Sequence, residues 1–540
     1  MARTGPGMTD FNAAYPEYAQ TSKLDELRGT EYSYLDECGD VYLDYTGAGL
    51  AARSQVAAHT ARMGSACFGN PHSENPTSSA STRLVEQARK AVLRHFNTTA
   101  DDYAVIFTPN ATGACRLVGE SYPFRQGKRL VLTADNHNSV NGIREFARTR
   151  GARVAYVPLT AAELRVNEAD VLAALSRGRG GRRGLFAYPA QSNFSGVQHP
   201  LGWVRRAQEE GYDVLLDAAA YAPANRLDLS AVRPEFVAVS WYKVFGYPTG
   251  VGCLLVRRDA LARLRRPWFS GGTIWGVSVQ GGWHRMLDDE GAFEDGTVNF
   301  LSIPDVTNGL NWIDGIGLDL IHRRVSMLTG WLLESLGSLK HDNGAPLIRL
   351  YGPADRTGRG GTVTFNFLDP DGRVIDERAV ARDAAAAGIS LRTGCFCNPG
   401  AGEWAFGLGR KDVRGPWWTA LTVGGFSRQA VTTVDDYLTR IGLPTGGAVR
   451  VSLGVASNLA DVETFLDFAE RAYCGRDATM AGLAPACTAE DGTAAAADTS
   501  GRPAVAVLRI TTAIVAARNA TVKPPRISQS AVTGRAKVVP

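Results

Sequence analysis

The chain has few cysteines, no long apolar run and no strong bias to one sign of charge. Eight cysteines in 540 residues are too sparse for a disulfide scaffold, which needs them dense in a short chain. Only Cys395 and Cys397 lie close together. A C-x-C pair with no second pair and no histidine nearby is a poor zinc site, so no metal is expected. No apolar run approaches the roughly 20 residues that span a bilayer. Met1 to Asp10 lacks the apolar core of a signal peptide, so a cytoplasmic protein with no membrane partner is expected. The net charge is +4, and residues 501–540 carry seven basic residues and no acidic one. Residues 1–500 are therefore at −3, and no nucleic acid is expected as a partner.

What is present is ordinary globular material in quantity. Apolar residues make up 44% and charged residues 21%, as in soluble domains. The length allows two or three of them. Val41 to Tyr45 reads as a short strand, and Leu84 to Phe96 has helical spacing. From Tyr103 onward strands and helices alternate. Tyr103–Phe107, Arg129–Thr133, Val154–Val157, Leu185–Tyr188, Val214–Leu216, Phe236–Val239 and Val251–Val256 read as strands. Val171–Leu175 and Leu201–Glu210 read as two of the helices between them. Such alternation predicts an α/β fold with a mostly parallel sheet covered on both faces.

In sheets of that kind ligands gather beyond the carboxyl ends of the strands. Several chemically capable residues fall there. Ala111-Thr112-Gly113 follows the first strand and opens a helix, a natural cradle for a phosphate. His137, Asn193 and Asp217 each lie just past a strand end, as do Ser240 and Lys243. Each also has an ordinary reading as a cap, a turn former or a surface lysine; those readings do not predict that all converge on one edge. A lysine at a strand end is partly desolvated, which favours the neutral amine that condenses with carbonyls. Farther on, Leu391 to Gly400 is bracketed by glycine and proline and predicts an exposed, bendable loop carrying Cys395 and Cys397. A thiolate is the nucleophile of sulfur chemistry, and Arg392 is a candidate cation to lower its pKa. Asn308–Ile316 and Leu318–Leu339 read as helices; Gly361–Phe367 and Val449–Gly454 read as strands.

Seven motifs occur in a fixed order: G-N-P-H-S at Gly69, D-N-H-N-S-V at Asp135, P-A-Q-S-N-F-S-G at Pro189, L-L-D-A-A-A at Leu215, Y-K-V-F-G-Y-P-T-G at Tyr242, F-E-D-G-T at Phe293 and L-R-T-G-C-F-C-N at Leu391. Together, from about Tyr42 to Tyr473, they resemble pyridoxal-phosphate enzymes of fold type I, aminotransferase class V. Within that class they resemble the desulfurase half of molybdenum cofactor sulfurases. The resemblance implies a large cofactor-binding domain over 41–305 with a seven-stranded sheet. It implies a smaller α+β domain over 306–474, with residues 1–40 packing on it. Residues 475–540, rich in Ala, Thr, Gly and Pro, are expected to be a disordered tail. That tail is too short for the C-terminal domain that receives the molybdenum cofactor in complete sulfurases.

The resemblance also assigns roles. Lys243 would hold pyridoxal 5'-phosphate covalently and move the substrate's Cα proton, and Asp217 would pair with the ring nitrogen. His137 would stack on the ring and Asn193 would bond its hydroxyl oxygen. Ala111, Thr112, Gly113 and Ser240 would hold the phosphate, joined by Thr273 of a neighbouring subunit in a homodimer. Arg450 would grip the carboxylate of L-cysteine, with Arg392 and Asn70 also at the substrate. Cys397 would carry the sulfur as a persulfide to an acceptor protein or small molecule, the molybdenum cofactor being one candidate. Tyr242 and Ala220 stand where bacterial desulfurases often carry histidine and glutamine. Other class V chemistry (a C–S lyase, a transaminase, an epimerase) and a non-catalytic sulfur-transfer scaffold are the alternatives.

Overall fold

A computed structural model describes residues 8–71, 73–161, 163–176, 184–409 and 445–478. His72 and the tail from residue 479, including the expected disorder there, lie outside the described residues.

The alternating region forms one seven-stranded sheet. Its strands in chain order are β1 (Tyr103–Thr108), β2 (Arg129–Thr133), β3 (Arg153–Val157), β4 (Gly184–Pro189), β5 (Tyr212–Asp217), β6 (Phe236–Ser240) and β7 (Gly252–Arg257). Their order across the sheet is β1-β7-β6-β5-β4-β2-β3. Both faces are covered, so the central strands read as unbroken apolar runs. Within β1, Tyr103, Val105 and Phe107 join one core, while Ala104 and Ile106 join the other. The period of two in a strand sends neighbours to opposite faces.

The sequence predicts β7 only as one more strand. It runs antiparallel to both β1 and β6, a direction that an apolar run cannot encode. Its first residue, Gly252, pairs with Thr108 on one side and Ser240 on the other. A Cβ at Gly252 would lie 2.7 Å from backbone atoms of Asn110 and from the Val239 carbonyl. Only glycine lets the turn after β1 sit flush against the end of β6.

Helix limits move outward from the periodic residues because caps lie beyond them. The helix expected from Leu84 runs from Pro76 to His95, and the Asn75 side chain accepts the Ser78 N–H at its start. A hydrophobic pattern does not register a polar first turn. The two helices expected after residue 300 are Ile303–Ile316 and Leu318–Ser338.

A second sheet holds β8 (Ile348–Tyr351), β9 (Thr362–Phe367), β10 (Arg392–Gly394) and β11 (Ala448–Ser452), in the order β8-β9-β11-β10 with antiparallel neighbours. The N-terminal segment is stitched to this region by charge. Arg28 donates to Asp461 at 2.6 Å, and Arg324 to Asp25 at 2.7 Å. Val41–Tyr42 then pairs in parallel with Ile389–Ser390, and Asp44 bridges to Ser452. That register carries Asp44 beside residues some 350 to 400 positions later in the chain.

Between the sheets' residues in sequence, Ile274–Ser278 and Trp283–Met286 form an antiparallel hairpin. Its aromatic side chains are turned outward: Trp275 is 67% and Trp283 53% exposed. Among the described residues, no helix is long and apolar enough to cross a membrane.

Candidate active site

The carboxyl ends of the parallel strands enclose a cavity of about 360 Å³. Ala111, Thr112, His137, Asn193, Asp217, Ser240 and Lys243 all line it. One cavity thus gathers seven of the sequence-predicted site residues from five strand ends.

Lys243 sits in the one-turn helix Trp241–Phe245 that directly continues β6. Burial lowers its pKa; the Asp217 carboxylate pulls the other way, and the guanidinium of Arg450 adds to the lowering. The neutral amine is therefore more accessible than in a free lysine. Asp217 ends β5, is 8% exposed, and its Oδ1 accepts the Ala219 N–H at 3.0 Å.

His137 ends the turn after β2. Its Nδ1 accepts the Ser139 N–H at 3.1 Å, so the ring also caps the short helix Asn138–Asn141. In the neutral ring that bond leaves the proton on Nε2. Burial lowers the His137 pKa, opposed by Asp217 and reinforced by Lys243 and Arg450. These influences together favour the neutral ring at the cavity wall.

One end of the cavity is a helix N-terminus. The Asn110 side chain caps Ala111–Ser121 by accepting the Gly113 N–H at 2.9 Å. Ser240 Oγ accepts the Ala111 N–H at 3.0 Å, tying the turn after β1 to the end of β6. Thr112 and Ser139 hydroxyls lie 2.7 Å apart. With the Ala111 and Gly113 N–H groups already bonded, this end offers an anion such as a phosphate the helix dipole and the Thr112 and Ser139 hydroxyls. Gly113 itself faces a neighbouring cavity of about 380 Å³, which shares Pro109 and Gly250 with the first.

Arg450 lies behind Asn193 and is 3% exposed. Its Nη1 donates to the Asn193 carbonyl at 3.0 Å and its Nη2 to Asp44 Oδ1 at 2.9 Å. Its Nε has no hydrogen-bond partner among the described residues, and an incoming carboxylate would supply one. Arg392 donates to the other oxygen of Asp44, at 3.0 Å from Nε and 2.5 Å from Nη2. Asp44 thus joins the two arginines.

The cysteine loop differs from expectation. Cys395 and Cys397 are exposed, but the backbone between them is pinned. Asn193 Nδ2 donates to the Phe396 carbonyl at 2.8 Å, and the Asn138 N–H to the Cys397 carbonyl at 2.7 Å. Phe396 packs against Phe194, with ring centroids 5.3 Å apart, and under the Arg450 guanidinium at 4.7 Å. Glycine and proline mark the turns of the segment, and the hydrogen bonds that hold it come from residues just past β2 and β4.

Asn70 and Thr273 do not line the cavity, and neither do Arg392, Arg450 and Cys397. Asn70 donates to Thr297 at 3.2 Å. Thr273 is fully buried and its hydroxyl donates to the Ser270 carbonyl at 2.8 Å. Sequence reasoning missed Asp44 and Gln191. Gln191 is 5% exposed and lines the cavity, with Oε1 accepting from Gln198 at 3.0 Å. The only signal for Gln191 is its place two residues before Asn193; for Asp44 it is the acid at the end of an apolar strand.

The family described as Aminotransferase class-V matches residues 41–465. The molybdenum cofactor sulfurase of Homo sapiens is 37% identical over 467 residues, covering 82% of this chain and 51% of that protein. That of Arabidopsis thaliana is 34% identical over 527 residues, covering 90% and 63%. The chain spans about half to three-fifths of the length of these relatives. Among solved structures, a cysteine desulfurase from Thermococcus onnurineus NA1 superposes with a TM-score of 0.66 at 23% identity, covering 83% of this chain and 98% of that one. A cystine C-S lyase, C-DES, in complex with cysteine persulfide superposes at 0.60 with 19% identity, covering 80% and 97%. These structures share the fold, with its seven-stranded, mostly parallel sheet. The match runs through both sheets and every strand end of the cavity, and by it the chain belongs to the class V aminotransferase family.

Proposed function

We propose that this chain is a pyridoxal-phosphate-dependent cysteine desulfurase of the molybdenum cofactor sulfurase type. The observation that carries the reading is a single juxtaposition. The cavity that holds Lys243 and Asp217 is bonded, through Asn193, to the loop that carries Cys397. The donor set fits pyridoxal 5'-phosphate: an amine of lowered pKa, a buried carboxylate, a neutral imidazole and a helix N-terminus. When bound, that group supplies an electron sink conjugated to the substrate's Cα.

The chain's own residues do the rest. Lys243 would hold the cofactor, and its Nζ would carry the Cα proton. Asp217 would keep the ring nitrogen protonated. Arg450 would receive the carboxylate of L-cysteine on its unpaired Nε edge. Cys397 attacks the substrate sulfur: an S–S bond forms and the Cβ–Sγ bond breaks. The electron pair and a proton end on Cβ, giving L-alanine and a Cys397 persulfide, so the carbon is reduced as sulfur is oxidised and no outside reductant enters. An acceptor protein or small molecule, with the molybdenum cofactor as a candidate, then takes the sulfur. We place the protein in the cytoplasm, with domains at 41–305 and 306–474 and residues 1–40 on the second.

The exposed aromatic hairpin at 274–286 supports a homodimer, since apolar patches of that kind mark interfaces. It lies close in sequence to Asp295 and Thr297, which line the cavity next to the phosphate end.

The test is incubation with L-cysteine and a reductant, measuring alanine and sulfide together in wild type and Cys397→Ala. Equimolar alanine and sulfide from the wild type, and neither from a variant that keeps its cofactor absorbance, is the expected result. Pyruvate in place of alanine would refute it and indicate a C–S lyase.

A further inference from the structure

Asn398 follows Cys397 and is fully buried. Its Oδ1 accepts the Ala401 N–H at 3.2 Å and so caps the helix Pro399–Ala405. A cap is an ordinary role for asparagine and needs only that oxygen. The other half of the amide does something a cap does not require. Nδ2 donates to the Asp135 carbonyl at 2.7 Å and to Asn193 Oδ1 at 2.9 Å. Asp135 follows β2 and Asn193 follows β4, so one amide ties the cysteine loop to two strand ends at the cavity.

The residues held by this tie are conformationally unusual. Phe396 and Cys397 both have left-handed backbones, at φ 55° and 54°. Consecutive non-glycine residues stay there only when their surroundings force it. The forcing contacts are the Asn193 and Asn138 bonds to the Phe396 and Cys397 carbonyls. Gly400 adds a third: it packs so closely on the Ala134 carbonyl that a Cβ there would overlap it. Asn398 stands between these contacts and orients Asn193, which otherwise could turn its amide away.

We propose that Asn398 is the positioning residue for Cys397: its side-chain donor fixes the left-handed turn that carries the thiol. This rests on Cys397 being the sulfur-accepting nucleophile. Asn398→Asp keeps the capping oxygen and loses the donor; Asn398→Ala loses both. Each holoenzyme is compared with wild type and Cys397→Ser for cofactor absorbance and for kcat and KM with L-cysteine. The rate at which iodoacetamide alkylates Cys397, read by peptide mass spectrometry, is measured beside them. Both Asn398 variants should keep the absorbance and hold KM within about threefold, while kcat falls about 10- to 100-fold, as expected for a misplaced reacting group. Alkylation of Cys397 should accelerate at least threefold as the turn opens. A kcat and an alkylation rate within twofold of wild type would overturn the proposal. Loss of cofactor absorbance along with turnover would also overturn it, by showing that Asn398 serves the whole fold. If Cys397→Ser still makes alanine at the wild-type rate, the desulfurase reading fails, and the alkylation rates still decide whether Asn398 sets the turn.

Discussion

Exchange of Asp44 for asparagine should destabilise the protein by about 3 kcal/mol, because it strands a buried cation. The Arg450 side chain is 4% and that of Asp44 10% exposed, with 2.9 Å between them. Burial already lowers the pKa of Arg450, and Asp44 is the largest influence opposing that. Removing one partner of such a pair costs about 3–5 kcal/mol; an asparagine oxygen still accepts one N–H, which places the loss at the lower end. The companion ion pair is a useful control. Arg392 is 50% exposed, and a pair open to water on one side is worth about 1 kcal/mol or less. Arg392→Met should therefore cost no more than that. The assay is urea unfolding followed by tryptophan fluorescence, read as a midpoint shift at constant slope. Arg450→Met combined with Asp44→Asn closes a double-mutant cycle, with a coupling of about 2–3 kcal/mol expected. If Asp44→Asn costs no more than Arg392→Met, or if the two losses simply add, the buried clasp is not what holds these elements together.

Two further outcomes follow from the site and the surface. In the cofactor-free protein the pKa of Lys243 is lowered from the ordinary 10.5, so between its folded value and 10.5 the unfolded chain binds more protons. Stability must then rise with pH across that window, and the rise should vanish in Lys243→Met; a wild-type minus variant difference that falls with pH would contradict the lowered pKa. If the hairpin forms the proposed dimer interface, Trp275→Ser with Trp283→Ser should lower the sedimentation coefficient without changing the far-ultraviolet spectrum, and an unchanged coefficient would rule the hairpin out of any interface.

Much of the site was legible because its residues are local to strand ends. Lys243, Asp217 and His137 each follow an apolar run, and the fold needs no further information to bring them together. Asp44 was not legible, since its role depends on the register of Val41–Tyr42 with Ile389–Ser390 and on a bridge to Ser452. Nothing near position 44 announces partners so distant. Asn398 reads locally as a turn before proline, and its second function appears only when β2 and β4 supply acceptors. The direction of β7 and the outward aromatics of the hairpin share that limit: strand patterns report which residues are apolar, not which neighbour they meet.

The fit of Gly252 against Asn110 and Val239 limits which substitutions the site can absorb. Where β1, β7 and β6 meet, main chain packs on main chain, which is the same polymer whatever the side chains. Point substitutions cannot retune such a seam; they can only break it. A change in what the cavity accepts must therefore come from the side chains that line it, not from this junction.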